Sequence, residues 1–312
     1  MTPTWNQALV RIASAKDPTT LPTDDRVLFY DDLTITIYDK FAKAQYHFLV
    51  LPRIPFRPSL SASASIPQQG APTLSASNGK LNFGATSSNN VPASHMKSIS
   101  SVLASPYAGQ VLEALRTASE RVVQHIRDDM KQNYDVAWDV ERAFHSVPSM
   151  EHLHLHVVSM DLVSDRLKHK KHYLSFHPSV GFALRLDKVQ DMVREGKKTL
   201  PKSEGTYERL LRGPLESHHT CQVFRFFPEL KAHLDMYWRQ KILPTGVQPE
   251  ALQETAKTYG KRDASDLAGG AASASDKGTA QRPLQSRKVE LANTAAEDST
   301  GSDDEEVSLP TR

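Results

Sequence analysis

In the segment Ser149-Met150-Glu151-His152-Leu153-His154-Leu155-His156-Val157-Val158, three histidines fall at every second position. An extended backbone sends alternate side chains to opposite faces, so it would turn all three imidazoles to one side and Leu153, Leu155 and Val157 to the other. One face of such a strand belongs to a core and the other to reactive chemistry. The segment is the chemical centre of the chain, and the rest of the sequence reads as the frame around it.

Arg26–Tyr30, Leu33–Tyr38 and Tyr46–Leu51 are rich in β-branched and aromatic residues with turn signals between them, which predicts a meander of antiparallel strands. From Arg53 to about His95 the composition shifts to Ser, Ala, Pro, Gly and Asn, read as a disordered insert over 57–95. Val111, Leu115, Ala118, Val122, Ile126 and Met130 recur at three- and four-residue steps, which predicts a helix from Tyr107 to Asn133 lying on the sheet. Val136–Phe144 reads as a further strand and Leu184–Arg194 as a short helix. His218 to about Gln240 has the pattern of a miniature module, and the chain beyond Pro244 reads as an unfolded acidic tail. The organisation expected is α+β, with residues 1–200 catalytic, 205–243 a small module and 244–312 a tail.

Charge separates along the chain. Residues 1–245 carry 30 Lys+Arg against 24 Asp+Glu, and residues 246–312 carry 8 against 12. So modest an excess on the body is compatible with a polyanionic ligand and equally with a solvated surface. The one cysteine, Cys221, excludes an intramolecular disulfide and favours a reducing compartment. No secretory or membrane-length apolar run is present, so a soluble intracellular monomer without a membrane partner is expected.

The histidine segment is compatible with three chemistries. The histidines could be surface residues without a role, although strict alternation opposite an apolar face argues against chance. Two imidazoles at i and i+2 could share a zinc ion with a third ligand. A neutral imidazole could instead attack phosphorus while its neighbours donate hydrogen bonds to the phosphoryl oxygens, a scheme that calls for no catalytic metal or redox cofactor. A central histidine flanked on both sides suits the last chemistry best.

His152-Leu153-His154-Leu155-His156-Val157-Val158 resembles the signature of the histidine-triad (HIT) superfamily of nucleotidyl hydrolases and transferases. Three further segments resemble its aprataxin-like branch of DNA 5′-adenylate hydrolases: residues 38–52, 144–150 and 167–176. The resemblance covers about residues 4–56 and 96–240. It implies a HIT-like antiparallel sheet with flanking helices, and a DNA repair hydrolase that removes AMP from adenylated nicked or broken 5′ DNA ends in the nucleus. His154 then matches the nucleophile that takes AMP as a covalent intermediate, His152 and His156 match groups that hold the phosphate, and His145 matches an additional catalytic histidine of the branch. Asp39 occupies the place of the carboxylate that binds the AMP ribose. Lys43 and Lys171 match basic residues near the phosphates, and Ser149 and Met150 match residues that contact the phosphate and shape the pocket.

These roles make sense in the residues themselves, since a carboxylate accepts two ribose hydroxyls and ammonium groups stabilise charge on phosphorus. Asp39 could equally be a turn residue, and His47 reads as structural, on the face opposite the pocket. Lys168, Lys170 and His172 form with Lys171 a cationic run that could grip a DNA backbone. Trp5 matches an aromatic residue that stacks on a terminal base pair, and fits ordinary core equally well. No phosphopeptide-binding domain is read ahead of the catalytic region.

His218-x-x-Cys221 with His233 reads like a zinc-finger-like DNA-binding module, and a structural zinc is the cofactor that this resemblance implies. His218 replaces the usual first cysteine and Tyr237 stands at the fourth ligand position, so a metal-free mini-domain is the alternative. The rivals for the whole chain are a HIT hydrolase of free dinucleotides or phosphoramidates, a non-catalytic nucleic-acid-binding module, and a zinc hydrolase built on His152 and His154.

Overall fold

The computed structural model describes residues 5–58 and 90–244, which lie in one compact unit. The remaining residues, including most of the predicted insert and the predicted acidic tail, lie outside the described residues, as does the side chain of Trp5.

Six strands form one antiparallel sheet: β1 (Val27–Tyr30), β2 (Thr34–Tyr38), β3 (His47–Pro52), β4 (Val140–His145), β5 (Leu155–Ser159) and β6 (Ala183–Arg185), in the order β1-β2-β3-β5-β4-β6. The predicted meander supplies the first three. β5, the histidine strand, enters the middle of the sheet between β3 and β4, so both of its edges are paired.

Helices α1 (Ala8–Ala13), α2 (Ile99–Ala104) and α3 (Ala108–Tyr134) flank the sheet. α3 buries Val111, Leu115, Ala118, Val122, Ile126 and Met130, the stripe legible in the sequence. They pack on Phe48 and Val50 of β3 and on Leu155 and Val157 of β5. Each such aliphatic side chain contributes on the order of 1.5–3 kcal/mol of burial, which fixes the hand of β5: its leucine and valine face α3 and its histidine faces away. The helix ends at Asp135, whose left-handed backbone (φ 57°) turns the chain out of the helical path. On the other face α1 sets Leu9 and Ile12 against Ile35, Ile37, Leu49 and Leu51.

The ends of the predicted insert belong to the fold. Phe56 and Val91 form an antiparallel bridge, and both are buried with Met96 in the α3 core. Large apolar residues sparsely placed among Ser and Pro gave no periodic signal there.

After β5 come the short helices α4 (Lys170–Leu174), α5 (Leu186–Arg194) and α6 (Glu204–Leu210). The C-terminal module is a two-stranded ribbon, β7 (Leu215–Glu216) and β8 (Val223–Phe224), followed by α7 (Phe227–Tyr237). Leu215, Leu230 and Leu234 of this module share a core with Val158, Met160, Leu167 and Tyr173. Among the described residues no helix is long and apolar enough to cross a membrane.

Candidate active site

The register of β3 on β5 builds the site. Leu49 lies opposite His156 and His47 opposite Val158, so His47, Leu49 and His156 share the face that turns away from α3. This corrects the sequence reading that placed His47 on the opposite face. Both faces of His47–Pro52 are buried, so its residues alternate without any polar and apolar contrast to show the parity.

His154 is held from within its own segment. Its Nδ1 donates to the carbonyl oxygen of His152 at 2.8 Å. A carbonyl only accepts, so Nδ1 carries the proton and Nε2 keeps its lone pair. Burial lowers the pKa of this ring below the ordinary histidine value, which keeps it neutral at pH 7. His154 opens on a small cavity also lined by His145, His152, Phe144 and Pro148.

His152 departs from the alternation. β5 begins only at Leu155, and His152 takes a left-handed backbone (φ 81°). Its Nε2 donates to the Pro52 carbonyl at 2.6 Å, so that nitrogen is not offered to a phosphate. The residue acts instead through its own carbonyl, which orients His154. Leu153 N–H donates to the Met96 carbonyl and Glu151 N–H to the Asn6 carbonyl, and these bonds hold the turn that breaks the strand.

A relay of single protons orients His156. The backbone N–H of Lys43 donates to His47 Nδ1 at 3.1 Å, so the neutral ring carries its proton on Nε2. That Nε2–H points at His156 Nδ1, 2.9 Å away, with the Asp39 carboxylate at 3.4 Å as a second acceptor. His156 therefore presents Nε2–H, a buried donor with no partner. His145 Nε2 is likewise buried without a partner, and its ring lies 4.3 Å from that of His156. Burial, with repulsion from neighbouring cationic groups second, pushes His145 down to about 3, and burial pushes His47 to about 4. The cluster is a set of neutral imidazoles in which His156 offers an unpartnered N–H suited to an oxyanion, with the unpartnered Nε2 of His145 beside it.

Asp39, His47 and His156 also converge as a group that could hold a metal ion, their ligand atoms within 4.8 Å of one another. In the arrangement described, a proton occupies the space between the two imidazoles where such an ion would sit.

Asp39 follows β2, with one carboxylate oxygen accepting the Phe41 N–H at 2.7 Å and the other facing His47. Lys43 is half-buried, its ammonium bonded to the Phe41 carbonyl, and burial lowers its pKa. Ser149 is exposed, and half-buried Met150 packs against the core of Leu9, Ile12 and Leu49. Sequence reasoning gave Phe176 no role, yet its ring stands edge-on to His47 and His156, each at 5.1 Å, and lies 4.7 Å from His145. It walls the three imidazoles from solvent.

The basic run does not act as one patch. Lys168 and Lys171 are exposed, whereas Lys170 is half-buried with its ammonium 3.4 Å from the Arg212 carbonyl. Burial, with Lys43 as the next cause, pushes His172 down to about 4. The module's three expected metal ligands do not converge: among the described residues His218, Cys221 and His233 form no metal-holding group.

The comparisons cover both parts. Residues 179–240 match the C2HE / C2H2 / C2HC zinc-binding finger family, and residues 90–172 match the family described as scavenger mRNA decapping enzyme C-term binding. Aprataxin of Gallus gallus is 28% identical over 235 residues, covering 75% of this chain and 55% of that protein. An aprataxin-like protein of Saccharomyces cerevisiae is 27% identical over 256 residues, covering 74% of this chain and 95% of that one. The chain is similar to aprataxins over both its sheet and its finger-like module. It spans about half the length of the vertebrate aprataxins it matches. A solved aprataxin ortholog, Hnt3 from Schizosaccharomyces pombe, aligns with a TM-score of 0.48 and 20% identity over 78% of this chain and 97% of that one. The α+β fold, with its HIT-like sheet and finger-like C-terminal module, agrees with the sequence reading.

Proposed function

We propose that this aprataxin-like protein removes AMP from adenylated 5′ DNA ends and restores a 5′-phosphate. The observation that carries this reading is the Nδ1–H of His154 on the His152 carbonyl, which leaves Nε2 unprotonated beside a cavity. The nucleophile needs no general base, because its tautomer is set before substrate arrives.

In the first step Nε2 of His154 attacks the adenylate phosphorus. The N–P bond forms as the P–O bond to the DNA 5′-phosphate breaks, and that phosphate departs. His156 Nε2–H donates to a non-bridging oxygen, and His145 stands beside it to meet the leaving group. Water then attacks the same phosphorus, the N–P bond breaks, the water's proton passes to solvent, and AMP leaves with His154 neutral again. Asp39 takes the ribose hydroxyls, Lys43 and Lys171 offset phosphate charge, and Ser149 and Met150 border the adenylate.

The DNA beyond the reacting end runs over Lys168 and Lys171, with Trp5 as a stacking group. Residues 1–200 form the catalytic domain, 205–243 the finger-like module and 244–312 the tail, in a monomer that works in the nucleus.

The match to a decapping enzyme family supports a second substrate class, free dinucleotides, with the same attack on phosphorus. Turnover on adenylated nicked DNA, compared with turnover on a capped or adenylated dinucleotide, separates the two. The DNA reading requires a higher kcat/KM on DNA and a salt dependence that the dinucleotide lacks.

A further inference from the structure

The finger family implies a metal closed by four ligands. In this chain the groups at those positions form no metal-holding cluster among the described residues. Nε2 of His218 lies 2.7 Å from the Met160 carbonyl, so it carries a proton, and Nδ1 faces the Tyr173 hydroxyl at 3.0 Å. Neither nitrogen offers a lone pair toward Cys221 or His233. Cys221 is exposed and sits on a left-handed backbone (φ 58°), and His233 Nε2 faces the Ser217 and Thr220 hydroxyls at 3.1 and 3.2 Å. The fourth position is Tyr237, and a phenol is not among the Cys, His and carboxylate ligands that close structural zinc sites. Its ring lies flat on His219, 4.3 Å away at 9°.

We propose that this finger folds without a metal, clasped to the catalytic domain by His218. A module this small needs a staple, and the structure supplies one. The Tyr173 hydroxyl accepts the backbone N–H of His218 at 3.0 Å and shares its one proton between His218 Nδ1 at 3.0 Å and the Glu216 carbonyl at 2.8 Å, while His177 Nε2 donates to that same carbonyl at 3.1 Å. Leu230 and Leu234 of α7 then complete the core that Val158 and Met160 begin. Trp238, just beyond α7, packs on Tyr134 and Trp138. Met160 directly follows β5, so the clasp joins the finger to the catalytic strand itself. The first metal-ligand position has become a hydrogen-bonded bridge between the two parts.

The test is metal analysis by plasma mass spectrometry on the full chain, purified from zinc-supplemented medium without chelator, with thermal melts before and after exhaustive chelation. Two variants, Cys221→Ser and His233→Ala, locate any zinc found. The proposal requires either no stoichiometric zinc, or zinc that both variants retain in full and that therefore sits outside the finger, with a Tm that chelation leaves unchanged. His218→Ala should lower Tm by roughly 3–8 °C with or without chelator. One zinc per chain that is lost in Cys221→Ser or His233→Ala, or a Tm that falls on chelation, overturns it.

Discussion

His47 Nε2 lies 2.9 Å from His156 Nδ1, and the backbone N–H of Lys43 on the far side of the ring decides which partner holds the proton. In the reaction proposed above, His47 makes His156 a donor toward the phosphate without itself touching the substrate, which is the role of a positioning residue.

His47→Phe keeps an aromatic ring at this position and removes the relay. His156 can then adopt the other tautomer, with its lone pair aimed at the phosphate. Losing one aimed hydrogen bond costs about 1–3 kcal/mol, so kcat should fall roughly tenfold to a hundredfold with KM little changed. Steady-state kinetics on adenylated DNA check this, and an unchanged kcat would remove His47 from the mechanism.

Buried and half-buried histidines should set the acid limit of stability. Folded pKa values near 4 for His47 and His152, and near 3 for His145 and His218, lie below the unfolded value of about 6.5, because burial penalises the charged ring. Between those values the unfolded chain binds more protons than the folded one, so stability falls as pH drops from 6.5 toward 4 and is flat above pH 7. Chemical denaturation at several pH values should show each fully uncoupled histidine contributing about 1.4 kcal/mol per pH unit at most. A midpoint constant from pH 7 to 4.5 would contradict the burial of the cluster.

Asp161 ties the sheet to the loop ahead of β3. It accepts from Gln45 N–H and Val163 N–H on one oxygen, and from Trp138 Nε1–H and the Ser159 hydroxyl on the other. Burial raises its pKa and these donors oppose the shift. Asp161→Asn turns one acceptor into a donor facing two N–H groups, at a cost of roughly 2–4 kcal/mol. Denaturant unfolding measures it, and a loss under 0.5 kcal/mol would mean that the four bonds do not act together.

Much of this architecture was legible because two periodicities coincide. The α3 stripe and the Leu155/Val157 face are complementary, and together they dictate that His154 and His156 turn away from the helix. His47 escaped notice because strand register is a property of two strands, and a strand buried on both faces carries no parity of its own. His152 was misplaced because alternation in sequence looks the same whether or not the backbone remains extended, and a left-handed histidine leaves no compositional mark. Phe176 reaches the imidazole cluster from a turn distant in sequence, where one aromatic residue resembles any other. The finger's departures, His218 and Tyr237, were visible, but their consequence needed the Met160 carbonyl and the Tyr173 hydroxyl beside them.

The most direct measurement is a rapid alkaline quench of the protein mixed with radiolabelled 5′-adenylated nicked DNA, followed by peptide mapping of the label at alkaline pH. The wild type should carry acid-labile, base-stable label on His154 and restore the 5′-phosphate on the DNA, and His154→Ala should do neither. AMP release at near-normal rate from His154→Ala, or label on another residue, would contradict it.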